Sequence, residues 1–129
     1  MATIEDVVKV GNISDIFPEE GMARVTFPDR DNMTSGKLQI LYRGQDYYMP
    51  SVGDQCLCLF LGNGMEDGFI LGTLYSINNK PNTSGQIVRK VQFGDGGYIE
   101  YSQGDLKIKT AKNISVIGNV VVDGSITQK

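Results

Sequence analysis

Along most of this chain apolar residues recur with a period of two, the spacing that sends alternate side chains to opposite faces of a strand. Ala23, Val25 and Phe27 alternate with Arg24 and Thr26 after a polar, glycine-containing turn at 17–21, and Val8, Val10 and Ile13 precede it. The stretch 28–37 holds Asp29, Arg30, Asp31, Asn32, Ser35 and Gly36, a composition that predicts a loop. Leu38, Ile40 and Tyr42 then alternate with polar neighbours, with Leu41 breaking the pattern. Pro50 removes a backbone donor and keeps Met49 extended, and Val52, Gly53 and Asp54 form the turn into the most apolar run of the chain, 56–61. That run ends at Gly62, Asn63 and Gly64, passes through Glu66, Asp67 and Gly68, and returns as a second apolar strand over 69–75. About five short strands, the last two apolar on both faces, predict a small closed or nearly closed barrel of the oligonucleotide/oligosaccharide-binding (OB) type. One weak capping-box match, Thr3 with Asp6, marks a short helix over 3–9.

A second pattern begins after residues 78–85, which contain no large apolar side chain and read as a linker. Two strand-like pieces, 88–93 and 98–101, flank Gly94, Asp95, Gly96 and Gly97, a strong hairpin signal. Beyond them the even positions hold Leu106, Ile108, Ile114, Val116, Val120, Val122 and Ile126, with Thr110, Gly118 and Gly124 between, while the odd positions are mostly Lys, Asn, Ser, Asp and Thr. Ala111, Ile117 and Val121 are the odd-phase exceptions, and Lys112 is the even-phase charge. Burying the seven large aliphatics contributes on the order of 10 to 20 kcal/mol per chain, at about 1.5 to 3 kcal/mol each. A lone strand cannot bury them, and about 40 residues is too short for a monomeric β-domain without disulfides or metal. Self-association around a threefold axis buries that face and leaves the polar face in water. The alternative is a β-sandwich extension folded back onto the barrel, against which the linker composition argues. The resulting plan is all-β: an extension at 1–9, the OB barrel at 10–77, a linker at 78–87, and a C-terminal trimeric spike at 88–129, wound as a β-helix or β-prism.

Composition narrows the chemistry. Net charge is -3 and the isoelectric point near 4.8, which argues against a nucleic-acid binder that relies on excess Lys and Arg. The chain has no histidine, which removes the commonest general base and metal ligand. Cys56 and Cys58 share a strand face, but their spacing is neither a zinc nor a redox motif, and they read as buried thiols. No window is long and apolar enough for a membrane helix, and the first residues lack a signal-peptide pattern, so synthesis in the cytoplasm is expected. The acidic pairs Glu66 with Asp67 and Asp29 with Asp31 sit in turns and do not make a hydrolase site. Gly62, Asn63 and Gly64 are followed by no Gly-Lys-Ser/Thr and no helix, so they form a turn and not a phosphate loop. No catalytic residue, cofactor or metal is expected.

Several separated motifs occur in one order: Arg24-Val25-Thr26-Phe27-Pro28-Asp29-Arg30, Tyr48-Met49-Pro50 with Val52-Gly53-Asp54, Phe60-Leu61-Gly62-Asn63-Gly64, and Asp67-Gly68-Phe69-Ile70-Leu71-Gly72. In this the chain resembles the phage baseplate assembly protein V family, related in plan to the spikes of type VI secretion and of phage-tail-like bacteriocins. The resemblance covers roughly 8–75 well and 91–129 in general character. It implies a homotrimeric central spike whose OB domains (family positions Phe27, Pro28, Asp29, Tyr48, Pro50, Gly53, Gly62, Asn63, Gly64, Asp67, Gly68 and Gly72) meet the hub of a contractile tail. Leu106, Ile108, Ile114, Val116, Val120, Val122 and Ile126 would form the trimer core, and the β-helix would pierce the target envelope after transient contact. The chain departs from longer members in its short spike and in lacking a His-x-His pair, so no metal-pinned tip is carried over and a separate tip protein is expected to cap the C-terminal end. The rival reading is an OB binding module for oligonucleotide or saccharide, with Tyr42, Arg43, Tyr47 and Tyr48 as its contacts.

Overall fold

The computed structural model describes residues 7–44, 46–62, 67–77, 79–86 and 88–129, and the chain divides into two compact units, Met1–Lys80 and Pro81–Lys129. Both are built from strands.

In the first unit, β1 (Val8–Phe17), β2 (Met22–Phe27), β3 (Met33–Thr34), β4 (Leu38–Ile40), β5 (Gln55–Phe60) and β6 (Gly68–Thr73) form one sheet. It runs in the order β1-β5-β6-β4-β2-β3, and an additional β1–β2 pairing closes it. All pairings are antiparallel except β4 with β6, which is parallel. The two-residue β3 hangs on β2, so five strands make the closed barrel, in the OB plan.

Alternation decides what enters the barrel. Ala23, Val25 and Phe27 from β2, Cys56, Cys58 and Phe60 from β5, Leu38, Ile13 and Ile70 make the core, each at most 2% exposed. Phe27 and Phe60 meet edge to face at 5.7 Å and 66°, a geometry that adds to simple area burial. Gly11 and Gly68 are required by close approach. A Cβ at Gly11 would lie 2.6 Å from Val25 Cγ1 and 2.8 Å from Phe27 Cδ1, and one at Gly68 would lie 2.6 Å from Phe60 Cδ1 and 2.7 Å from the Leu59 carbonyl oxygen.

Three features of this unit depart from the sequence reading or go beyond it. Val8 and Val10 face outward, at 43% and 42% exposure, while Lys9 turns inward and sets its ammonium 5.7 and 5.6 Å from the Phe27 and Phe60 ring centres. Ile13 fixes that phase, and the register shift between Ile13 and Asp15 resets it for the rest of β1. The stretch 28–37 is not wholly loop. It holds a 3-10 helix, Pro28–Arg30, then β3, and then Ser35, whose buried hydroxyl accepts from Val25 N at 3.1 Å while its own N–H donates to the Val25 carbonyl at 2.8 Å. The helix expected over 3–9 lies largely outside the described residues: Val7 is helical, and Val8 and Lys9 belong to β1.

In the second unit, β7 (Arg89–Gln92), β8 (Tyr98–Ser102) and β9 (Asp105–Lys109) form an antiparallel sheet in sequence order. Phe93 N–H donates to the Gly97 carbonyl at 2.9 Å and closes the first hairpin. One face is polar: Lys90 pairs with Glu100 at 3.8 Å and lies 4.5 Å from the Tyr98 ring centre, with Lys109 on the same ring at 5.9 Å. The register Val91, Ile99, Ile108 and Arg89, Tyr101, Leu106 makes the opposite face mostly apolar. From Thr110 to Lys129 the chain carries no strand, and every side chain is exposed.

Candidate assembly surface

The family-motif positions occupy turns and packing points of the barrel and do not converge on a cleft. Phe27 is fully buried, while Pro28 and Asp29 lie exposed in the 3-10 helix that follows it. Pro50 is fully buried and leads into a tight turn: Asp54 N–H donates to the Ser51 carbonyl at 3.0 Å and Ser51 N–H to Asp54 Oδ2 at 2.9 Å. Gly53, at φ 96°, supplies the left-handed residue this turn needs and donates its N–H to the Ile13 carbonyl at 2.8 Å. Leu61 N–H donates to the Asp67 carbonyl at 3.0 Å and narrows the β5–β6 connection between Gly62 and Gly68. Asn63 and Gly64 lie outside the described residues. Gly72 faces open space. Tyr48 is 62% exposed, its hydroxyl 3.5 Å from Thr73 Oγ1. The motif thus brings together Phe27, Gly68 and Phe60 in the core, and Tyr48 with β6.

Asp29 and Asp31 are exposed, and Asp31 sits in the left-handed region at φ 55°. Glu66 lies outside the described residues. An open groove of about 680 Å³ is lined by Asn12, Val52, Gly53, Asp54, Gln55, Ser76, Ile77 and Asn79, and the carboxylate of Asp54 is its one acidic group. That carboxylate already accepts from Ser51 N and, at 3.5 Å, from Asn79 Nδ2. Among the described residues no three His, Cys, Asp or Glu side chains cluster as metal ligands. Cys56 and Cys58 are free and buried with their sulfurs 3.8 Å apart. Their mutual hydrogen bond holds the Cys56 thiol below its usual range against the opposing effect of burial, and the same bond together with burial pushes Cys58 up.

The chemistry that stands out is exposed apolar surface. Leu106 and Ile108 are 63% and 50% exposed, and Ile114, Val116, Val120, Val122 and Ile126 range from 47% to 82%. Leu106 and Ile108 share the apolar sheet face with Ile99 and Tyr101, while the other five have no strand partner among the described residues. A second apolar surface, foreshadowed by the two-faced apolarity of the late hairpin, lies outside the barrel and is half-buried at Leu57, Leu59 and Phe69. Cross-strand rows place Val8 beside Leu59 and Leu59 beside Phe69, and Val10 beside Leu57 and Leu57 beside Gly72. The signal for it was present in β5, whose residues are apolar at every position from Cys56 to Phe60, as in strands covered on both sides.

Residues 9–75, just over half of the chain, match the family described as the type VI secretion system/phage-baseplate injector OB domain. The chain is also 33% identical over 86 residues to a protein named spike protein of Escherichia phage P2; the match covers 66% of this chain and 39% of that relative. This chain therefore spans well under half the length of the curated relative.

Proposed function

The chain belongs to the injector OB-domain family of type VI secretion systems and phage baseplates, a family of structural spike proteins found in virions or tail-like particles, and on that premise we propose that it forms the homotrimeric central spike of a contractile tail baseplate. Its barrel meets the hub, and the even-phase aliphatics of the C-terminal unit meet their counterparts in two other copies around one axis. The role is mechanical: a narrow, cross-paired shaft is driven through a target envelope by contraction of the tail, with no reaction catalysed. Synthesis in the bacterial cytoplasm, a separate tip protein at the C-terminal end and a β-helical or prismatic winding of 110–129 belong to the same reading.

The carrying observation is the unpartnered row Ile114, Val116, Val120, Val122 and Ile126, exposed along 20 residues that form no strand alone.

Light scattering after size exclusion tests the reading, on the intact chain and on one ending after Ser84. A mass of about 42 kDa, three times 14.1 kDa, falling to one chain on truncation is expected; a monomeric intact chain would overturn the spike. In that event the exposed Tyr42, Tyr47 and Tyr48, at 71%, 74% and 62%, favour the OB binding module for oligonucleotide or saccharide, read out as retardation of a labelled oligomer.

A further inference from the structure

Cys56 and Cys58 are nucleophilic side chains for which a mechanical role has no use. They stand two residues apart on β5, a spacing that sends both to one face of the strand. Both are fully buried, with their sulfurs 3.8 Å apart, and the core cluster they belong to is otherwise apolar. On the neighbouring strand Gly11 pairs with Cys56 and Lys9 with Cys58. Directly opposed residues of an antiparallel pair share a face, so the stem of Lys9 enters the barrel beside Cys58, and its ammonium lies 5.7 and 5.6 Å from the Phe27 and Phe60 ring centres. Among the described residues no carboxylate forms an ion pair with that ammonium. A buried dithiol with a cation beside it is a ligand set for a soft metal ion.

We infer that Cys56 and Cys58 form a two-coordinate site for a soft monovalent ion, copper(I), with Lys9 as its charge partner. Thiolate sulfur selects copper(I), zinc or iron–sulfur clusters, and the surroundings decide among them. Structural zinc and the clusters take about four protein ligands, whereas among the described residues no three His, Cys, Asp or Glu side chains come together. Copper(I), with a filled d shell, is satisfied by two thiolates in line. A disulfide fits less well. Its sulfurs stand about 2.05 Å apart and its Cα atoms within about 6.8 Å, and two residues of extended strand already span about 6.4 to 6.8 Å. For the metal, the sulfurs need only part from 3.8 Å to about 4.6 Å, twice a metal–sulfur bond of about 2.3 Å. Binding releases two thiol protons for one ion and leaves a bis-thiolate centre with one negative charge. An apolar interior disfavours such a charge unless it is paired, and the Lys9 ammonium supplies the pairing. The register shift between Leu57 and Cys58 interrupts the β5–β6 ladder next to both ligands, which gives the ion a way in through local opening. Once bound, the ion stabilises the folded barrel that holds it. The site lies wholly within the barrel and is independent of how chains associate.

The test offers the full-length chain copper(I) held by a chromogenic chelator, without oxygen and with the thiols reduced. Metal transfer is read from the chelator's colour, and the thermal midpoint from circular dichroism with and without copper. Expected is one copper per chain and a raised midpoint. Cys56→Ala and Cys58→Ala should each take up no more than the variant carrying both changes, whose residual uptake measures the background from the chain's 5 methionines. Lys9→Leu should keep the stoichiometry and lose affinity by about 10- to 100-fold, the usual effect of removing a partner outside the ligand shell. An intact chain that takes up no more copper than the double variant overturns the site. So does a single-cysteine variant that binds as tightly as the intact chain, since a lone thiol would then suffice. Unchanged affinity in Lys9→Leu overturns the charge pairing. Should an alanine variant lose the barrel's circular dichroism, Cys56→Val or Cys58→Val fills the same space and carries the same test.

Discussion

Phe27, Phe60 and Ile70 in the barrel are at most 2% exposed, while Val116, Val120 and Val122 in the C-terminal unit are 61%, 67% and 47% exposed. Both regions are written with the same period-two alternation. The difference is closure. In the barrel, β1 pairs with both β2 and β5, so every inward side chain finds others across the interior. In 106–126 the alternation continues past β9 into residues that lie in no strand, and in the proposed spike other copies of the chain supply the wall that this face lacks within its own unit. A period in the sequence therefore specifies a face; topology decides whether that face is satisfied at home.

The largest break in this comparison comes from charging the face that lacks a wall. Val116→Asp with Val120→Asp places like charges together at the proposed axis and removes hydrophobic burial worth about 1.5 to 3 kcal/mol per side chain. The expected outcome is a one-chain mass by light scattering with the barrel's circular dichroism unchanged; a persisting three-chain mass would place the association elsewhere. Next comes Phe27→Ala, which removes a fully buried ring and its edge contact with Phe60. It should lower barrel stability in urea by about 3 to 5 kcal/mol. With the barrel folded below its new midpoint, the three-chain mass should survive, because the ring is enclosed in the barrel core and is not among the residues of the proposed seam. Gly68→Ala is smaller. A methyl group 2.6 Å from Phe60 Cδ1 and 2.7 Å from the Leu59 carbonyl oxygen forces β6 away from β5, for a loss of roughly 1 to 3 kcal/mol. A midpoint equal to that of the unmodified chain would show that the β5–β6 hairpin yields there without cost.

These contrasts also show which parts of the fold were legible. The strand at Ala23, Val25 and Phe27 was readable because its polar partners are unambiguous, and the turn at Gly94–Gly97 because glycine and aspartate clusters have few other uses. The inward side of β1 was not. Val8 and Val10 are the more apolar pair, but Gly11 has to lie against Val25 and Phe27, and this carries Lys9 inside with its stem in the barrel and its ammonium over two rings. Ser35 was hidden for a similar reason: a polar residue in a polar stretch gives no sign that it will be buried by two hydrogen bonds to Val25. The candidate site divides the same way. The even-phase row is carried by alternation along one segment and so can be read directly, though its role as a trimer core is a proposal, whereas the outer face of β1, β5 and β6 depends on strand neighbours that are distant in sequence.

The smallest expected effect is the sharpest test of the phase. Ile117 is adjacent to Val116 but belongs to the odd positions, and it is 99% exposed where Val116 is 61%. Hydrophobicity alone ranks isoleucine above valine as an association residue. Alternation ranks it below, because a strand that turns Val116 toward an axis turns Ile117 toward water. Ile117→Ser should therefore leave the three-chain mass intact and change stability by no more than about 0.5 kcal/mol, the usual range for surface substitutions. Equal disruption by Ile117→Ser and by a serine at Val116 would mean that both faces of the segment are covered, and the shaft would then need a second layer, contributed by neighbouring strands or by another protein, in place of a single threefold seam.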